Sequence, residues 1–239
     1  MKTGFPGFAP EALEFFRNLA RNNRREWFQP RKAAFEALVK QPMHQLVEAV
    51  NGELRRFAPA YATDPAKAVF RIYRDTRFSK DKSPYKTHIA ASFRHRELGG
   101  EGGGAGFYFA VSHKELAIGG GMYMPAPATL LAVRAHLAGH HRELRKILAA
   151  KSVRALLGEL QGERLTRVPK GWPADHPAAD LLRYKQLFLY IELAPELAVG
   201  PGIQKEIVSR FKAMAPFLEF LNAPLPRRKQ KIDVRELLV

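Results

Sequence analysis

The chain has 239 residues, with 39 Lys and Arg against 23 Asp and Glu, a formal net charge of +16 and no cysteine. Its 46% hydrophobic and 26% charged residues supply enough apolar surface for a core, which excludes disorder as a whole-chain state. The missing cysteines exclude disulfides, thiol catalysis, iron–sulfur clusters and thiolate zinc sites together.

The opening MKTGFPGFAPEAL places Pro6, Pro10 and Glu11 where a signal peptide needs an unbroken apolar run. Pro10 suits a first helical position, and Leu13, Phe16 and Leu19 follow at helical spacing until Asn22 and Asn23 end the pattern. A second helical stretch starts near Pro30, with Phe35, Leu38, Val39, Leu46, Val50, Leu54 and Phe57 on one stripe. Pro42 must kink or restart it. The period then changes. Residues 69–78, 86–95, 106–112 and 115–124 read as strands, rich in β-branched and aromatic types. The last two are antiparallel neighbours joined at His113 and Lys114, because so short a link cannot cross over to a parallel partner.

GGEGGGAG (99–106) reads as a mobile hairpin loop, and Gly119–Gly121 as a bulge or a site of close backbone approach. The longest uncharged run, 116–133, is broken by those glycines, Pro125 and Pro127, so it predicts a strand, a turn and a helix start rather than a membrane span. No membrane association is expected, and the cytoplasm is the default location. Helices return from Pro127 to about Leu160, and 187–193 reads as a fifth strand. The last long helix shows Ile203, Ile207, Phe211, Met214, Leu218 and Leu221 on one face. Together these predict an α+β fold, an antiparallel sheet of about five strands packed against several helices. The expected layout is one domain over 1–225 and a basic tail over 226–239, with Arg227, Arg228, Lys229 and Lys231.

The most informative segment is FRIYRDTRFSKDKSPYKT (70–87). From Phe70 to Arg96, eight Lys or Arg residues face two acids, a net charge of +6 over 27 residues. A strand here would put Arg71, Tyr73, Asp75 and Arg77 on one face. That face suits an anion, since Arg offers a planar donor fork to phosphate or carboxylate. Arg74, Lys82 and Lys86 would add charge, Asp75 or Asp81 would orient the cations or serve as base, and Tyr85 would pack or hydrogen-bond. Lys170, Asp175 and His176, in a Pro- and Gly-bounded loop, would complete the pocket. The competing reading pairs these arginines with helix carboxylates such as Glu14 or Glu48.

This segment also resembles the signature of domain of unknown function 2461. GFAPEALEFFRNLARNNRREWF (7–28), GGGMYMP (119–125), PKGWPADHP (169–177) and LLRYKQ (181–186) are similar to other stretches of that family. The resemblance runs from about Phe5 to Leu221. It implies a soluble, bacterial-type α+β domain without an assigned activity, and it carries over no catalytic residue. The glycine-rich loop and the basic tail depart from the pattern and are not expected to share a function with it.

Other motifs are weak. Ser83-Pro-Tyr-Lys86 and Ser209-Arg-Phe-Lys212 both fit S-x-x-K, but the companion S-D-N and K-T-G motifs are missing. No P-loop or dinucleotide fingerprint names a cofactor, and no H-E-x-x-H zinc motif occurs among the eight histidines. Three functional readings stand. The first is a small-anion site on 70–87, for a phosphorylated or carboxylate ligand, with or without catalysis. The second is nucleic-acid binding, driven by the charge. The third is a non-catalytic module that docks acidic protein surface. Oligomeric state is not written in the sequence.

Overall fold

The computed structural model describes residues 4–98 and 104–227. Pro10 opens α1 (Pro10–Arg21), where its missing N–H is not needed, and Leu13, Phe16 and Leu19 turn inward. Helical chain resumes through α2 (Arg25–Phe28), α3 (Lys32–Phe35) and α4 (Gln41–Phe57). The break predicted at Pro42 is gentler than expected. A π-turn at Glu36–Lys40 widens the helix just before the proline, which then sits in the first turn of α4. A short α5 (Pro65–Ala68) follows, with Asp64 capping it by accepting from the Ala66 N–H.

The sheet has four strands in the order β1 (His88–Arg94), β2 (Gly106–Ser112), β3 (Leu116–Met122) and β4 (Leu187–Leu193), all antiparallel to their neighbours. Four of the five predicted strands are therefore present. The remaining one, 69–78, is corrected: beyond single bridges at Val69 and Tyr73 this segment is a loop. One acid within it and one just past it turn the chain locally. Asp75 accepts from the Arg77 N–H (3.2 Å) and Asp81 from the Ser83 N–H (2.9 Å). Such side-chain-to-backbone bonds compete with a strand ladder and win here.

After β3 come α6 (Pro127–Leu148), α7 (Lys151–Leu157), α8 (Ala179–Leu182) and, beyond β4, α9 (Ile203–Asn222). The uncharged run 116–133 resolves as predicted into β3, a turn and the start of α6. No helix of the described residues is long and apolar enough to cross a membrane. On α9, Ile203, Ile207, Phe211, Met214, Leu218 and Leu221 are all fully buried, the face its spacing predicts. Phe211 stacks on Phe107 of β2 at 4.5 Å between ring centroids.

The glycine triplet of β3 is not a bulge. Its register runs unbroken past both neighbours, Gly120 facing Phe107 on β2 and Leu189 on β4. Gly120 instead lets α9 approach, since a Cβ there would lie 2.5 Å from Met214 Sδ.

Three asparagines tie distant segments together in the same way, each bonding the amide and carbonyl of one residue. Asn23 holds Tyr85 (2.9 and 3.1 Å), Asn51 holds Thr63 (2.6 and 3.1 Å) and Asn222 holds Ala105 (2.7 and 3.0 Å). Each satisfies two backbone groups that no ladder reaches. Residues 99–103, most of the glycine-rich loop, and Arg228, Lys229 and Lys231 of the tail lie outside the described residues.

Candidate functional site

The charged segment is anchored at both ends and turned outward in the middle. Tyr85 is buried, its ring stacked on Phe28 at 4.1 Å and its backbone held by Asn23. It packs the segment to the body of the protein. The helix carboxylates are not the partners of the arginines, because Glu14 bonds Arg17 and Glu48 bonds Arg55. The loop's own acids take two of its cations. Arg77 grips Asp75 through Nε (3.0 Å) and a terminal nitrogen (2.7 Å), and Arg74 pairs with Asp81. Lys82 donates to the Thr76 carbonyl (3.0 Å) and closes the turn.

The Arg77 side chain and N–H hold the Asp75 carboxyl down at about 2. A carboxylate depressed in this way favours the fold above its ordinary value of 3.8 and loses that contribution as pH falls toward 2. The pair is exposed, so the gain in stability is small. A carboxyl NMR titration is expected to place Asp75 near 2 in the native protein and to return it toward 3.8 in Arg77→Ala. A native midpoint at the ordinary value would show that the pair does not persist in solution.

Arg71 and Lys86 stand apart from these pairs. Burial, and then the neighbouring Arg71, hold the Lys86 ammonium below its usual pKa. Its Nζ lies 5.1 Å from the centroid of the Phe70 ring, a cation–π contact. Lys170, Asp175 and His176 lie elsewhere. His176 Nδ1 accepts from the Ala178 N–H (3.0 Å), and its ring meets His141 of α6 edge-on. Among the described residues no hydrogen bond or ion pair joins that loop to 70–87.

Phe70 leads to the feature that the sequence reading did not assemble. Its N–H bonds the Ala90 carbonyl (2.9 Å), which sets its side chain beside the outer face of β1. Alternation sends Phe93, Phe107, Phe109 and Ile118 to the helix side of the sheet and leaves the other face open. Register then builds that face in rows. One row runs Arg94, Gly106, Gly121, Phe188; the next runs Ser92, Tyr108, Gly119, Tyr190. A third runs Ala90, Ala110, Ala117, Glu192, and its three buried alanines pack with Tyr108 and Tyr190.

Small residues in the middle and large ones at the sides leave a groove of about 1050 Å³. Glycines floor it, rings of Phe70, Tyr108, Tyr123, Phe188 and Tyr190 wall it, and Arg94 and Glu192 lie at opposite corners. Phe70 and Tyr108 meet at 6.5 Å, and Tyr123 and Phe188 at 5.7 Å. Gln161 bridges to Phe188 along the outer edge of β4 and fixes that wall by donating to the Tyr190 carbonyl (2.7 Å). Burial pushes the Tyr190 hydroxyl's pKa up, with Glu115 and Glu192 adding to the effect, so it stays a neutral donor. Its lining is mostly apolar walls with a few convergent polar groups, the kind of chemistry that small-molecule sites use.

A second cavity of about 960 Å³ lies between α6, α7 and α9. Its charged lining, including Lys146, Lys212, Glu219 and Arg227, is exposed at the rim, and its buried His95 already accepts from the Glu97 N–H (3.3 Å). Among the described residues no three His, Asp or Glu side chains gather to hold a metal ion.

One signal for the groove was present in the sequence. GFYFAVS and LFLYIEL each set a tyrosine at the outward position between two inward apolar residues, Tyr108 between the buried Phe107 and Phe109 and Tyr190 between the buried Leu189 and the partly buried Ile191. No curated protein and no solved structure matches the chain. The model of a conserved hypothetical protein family, DUF2461, matches residues 11–220, from the start of α1 to the last turn of α9, and the chain belongs to that family.

Proposed function

We propose that the protein binds a compact anion bearing a planar ring, seated in the groove on the open face of the sheet. The reading rests on one observation. Tyr108 and Tyr190 share a row with only Gly119 between them, and Arg94 stands one row away. A ring laid on the glycine floor meets aromatic walls on both sides, a contact worth about 0.5–1.5 kcal/mol per pair beyond area burial. A phosphate or carboxylate on that ring reaches the Arg94 guanidinium, which offers two parallel donors. At the far corner Glu192 accepts hydrogen bonds from the ligand's own donors. Lys86 and Arg71, crowded together beside Phe70, gain from any anion that approaches. The anion-binding role expected of 70–87 thus passes to the rim of the groove.

The test is a thermal-shift panel of nucleotides and aromatic carboxylates, with sugar phosphates and aliphatic dicarboxylates as controls without a planar ring. A ligand at a hundred times its Kd adds about 2.7 kcal/mol, or roughly 5–10 °C for a chain of this length. Arg94→Ala is expected to remove most of that shift while leaving the Tm without ligand within a degree or so. A panel that shifts nothing, or a shift that Arg94→Ala leaves intact, would end the proposal.

A further inference from the structure

The loop beside the groove carries a feature that a small ligand leaves unused. Phe78 is 94% exposed, and Tyr73 and Phe70 in the same segment are 43% and 39% exposed. Folding gains nothing from a phenylalanine held fully in water. Between Arg71 and Lys82 there are five cations and two acids. The pairs Arg77–Asp75 and Arg74–Asp81 consume both acids, which leaves Arg71, Lys80 and Lys82 as the surplus charge. The loop therefore presents exposed aromatic surface interspersed with net positive charge, with the Arg77 guanidinium 5.6 Å from the centroid of the Phe78 ring.

We propose that this loop and the groove together form a track for single-stranded nucleic acid. One base would be seated in the groove, and the strand would continue over Phe70 and Tyr73 to Phe78. The inference rests on the reading of the groove as a site for a ring-bearing anion, and it names that anion as one nucleotide of a chain. Charge complementarity carries it: single strands are bound by cations that follow the phosphates and by aromatic side chains on which successive bases stack. An open antiparallel sheet with outward aromatic residues is also a recurring platform for unpaired bases. Phe78 is eight residues from Phe70, at most about 28 Å along an extended chain, so loop and groove fall within one short strand. A duplex does not fit, because its bases are stacked inside and cannot lie on the groove floor. An anionic membrane would accept Phe78 and the lysines, but a flat surface does not reach rings recessed on the sheet.

The experiment uses the full chain and fluorescence anisotropy with a short labelled oligo(dT) or oligo(U) strand, the matching duplex, and dTMP or UMP as competitor. The single strand is expected to bind at least about tenfold more tightly than the mononucleotide, with the salt slope of roughly −2 that three phosphate contacts give on a single strand. Phe78→Ala, at a position too exposed to affect folding, is expected to weaken the strand roughly tenfold and to leave the mononucleotide unchanged. Arg94→Ala is expected to weaken both. If the strand binds no better than the mononucleotide, or Phe78→Ala changes nothing, the track is overturned and the groove reading survives alone. If neither strand nor mononucleotide binds, the track is overturned, and the groove reading stands or falls on the thermal-shift panel. Tighter binding of the duplex, or capture on phosphatidylserine vesicles that Phe78→Ala abolishes in the absence of strand binding, also overturns it.

Discussion

Replacing Gly121 with alanine is expected to destabilise the protein by on the order of 3 kcal/mol and to lower its Tm by roughly 6–12 °C. Two costs coincide there. Gly121 has φ +136°, a conformation that a side chain makes strained. A Cβ would also sit 2.2 Å from the Leu187 carbonyl oxygen and 2.6 Å from Phe188 Cα. Both are backbone atoms of β4, held by the ladder, so no rotamer change relieves the contact. Gly120 makes the informative comparison. Its nearest neighbour is the end of a flexible thioether, Met214 Sδ, and its φ is unremarkable. Gly120→Ala is therefore expected to cost less than Gly121→Ala in urea denaturation. The reverse order would mean that the close approach of α9, not the backbone of β3, is the tighter constraint. Gly121 also floors the groove beside Phe188, so ligand binding should fall with stability in that variant.

What the sequence revealed follows from the range over which each cause acts. The buried stripe of α9 is a property of one helix, and a 3.6-residue period displays it without reference to the rest of the chain. Strands 106–112 and 187–193 are likewise visible, because alternation with Phe107, Phe109 and Leu189 inward is local. The groove is not local. Its rows join Arg94 to Phe188 and Tyr108 to Tyr190, and only the register of three strand pairs brings them together.

The 69–78 segment misled for the opposite reason. Its composition is that of a strand, but Asp75 within it and Asp81 just past it stand two residues before a residue whose N–H each can accept, and those short-range bonds bend the chain before a ladder forms. The positive charge is a matter of composition, but its arrangement depends on which cations the loop's own acids hold. Two of its arginines face the loop's own acids, and of residues 70–87 only Phe70 lines the groove built from the strands, with Lys86 Nζ 5.1 Å from its ring centroid.

Asn222→Ala is expected to be about as damaging, on the order of 4 kcal/mol in urea denaturation, and through a different cause. The Asn222 side chain is buried at the end of α9, accepts from the Ala105 N–H at 2.7 Å, and donates to the Ala105 carbonyl at 3.0 Å and the Tyr61 hydroxyl at 2.9 Å. Ala105 is fully buried, so truncation strands its amide and carbonyl away from water, at about 1–3 kcal/mol for each orphaned group. The loss should be local in its first effect. Amide exchange at Ala105 should quicken more than at Phe109 in the centre of the sheet, because the clasp and not the ladder protects that N–H. Asn222→Asp keeps an oxygen for the Ala105 N–H but turns a carboxylate oxygen toward the Ala105 carbonyl, replacing an attraction by a repulsion. It is therefore expected to be no better than alanine. The corresponding change at Asn23 removes the same two-bond clasp from Tyr85 at a half-buried position and should cost less. If Asn222→Ala proves as mild as Asn23→Ala, burial is not what gives these clasps their weight. The entry of β2 into the groove floor at Gly106 must then be held by the sheet alone.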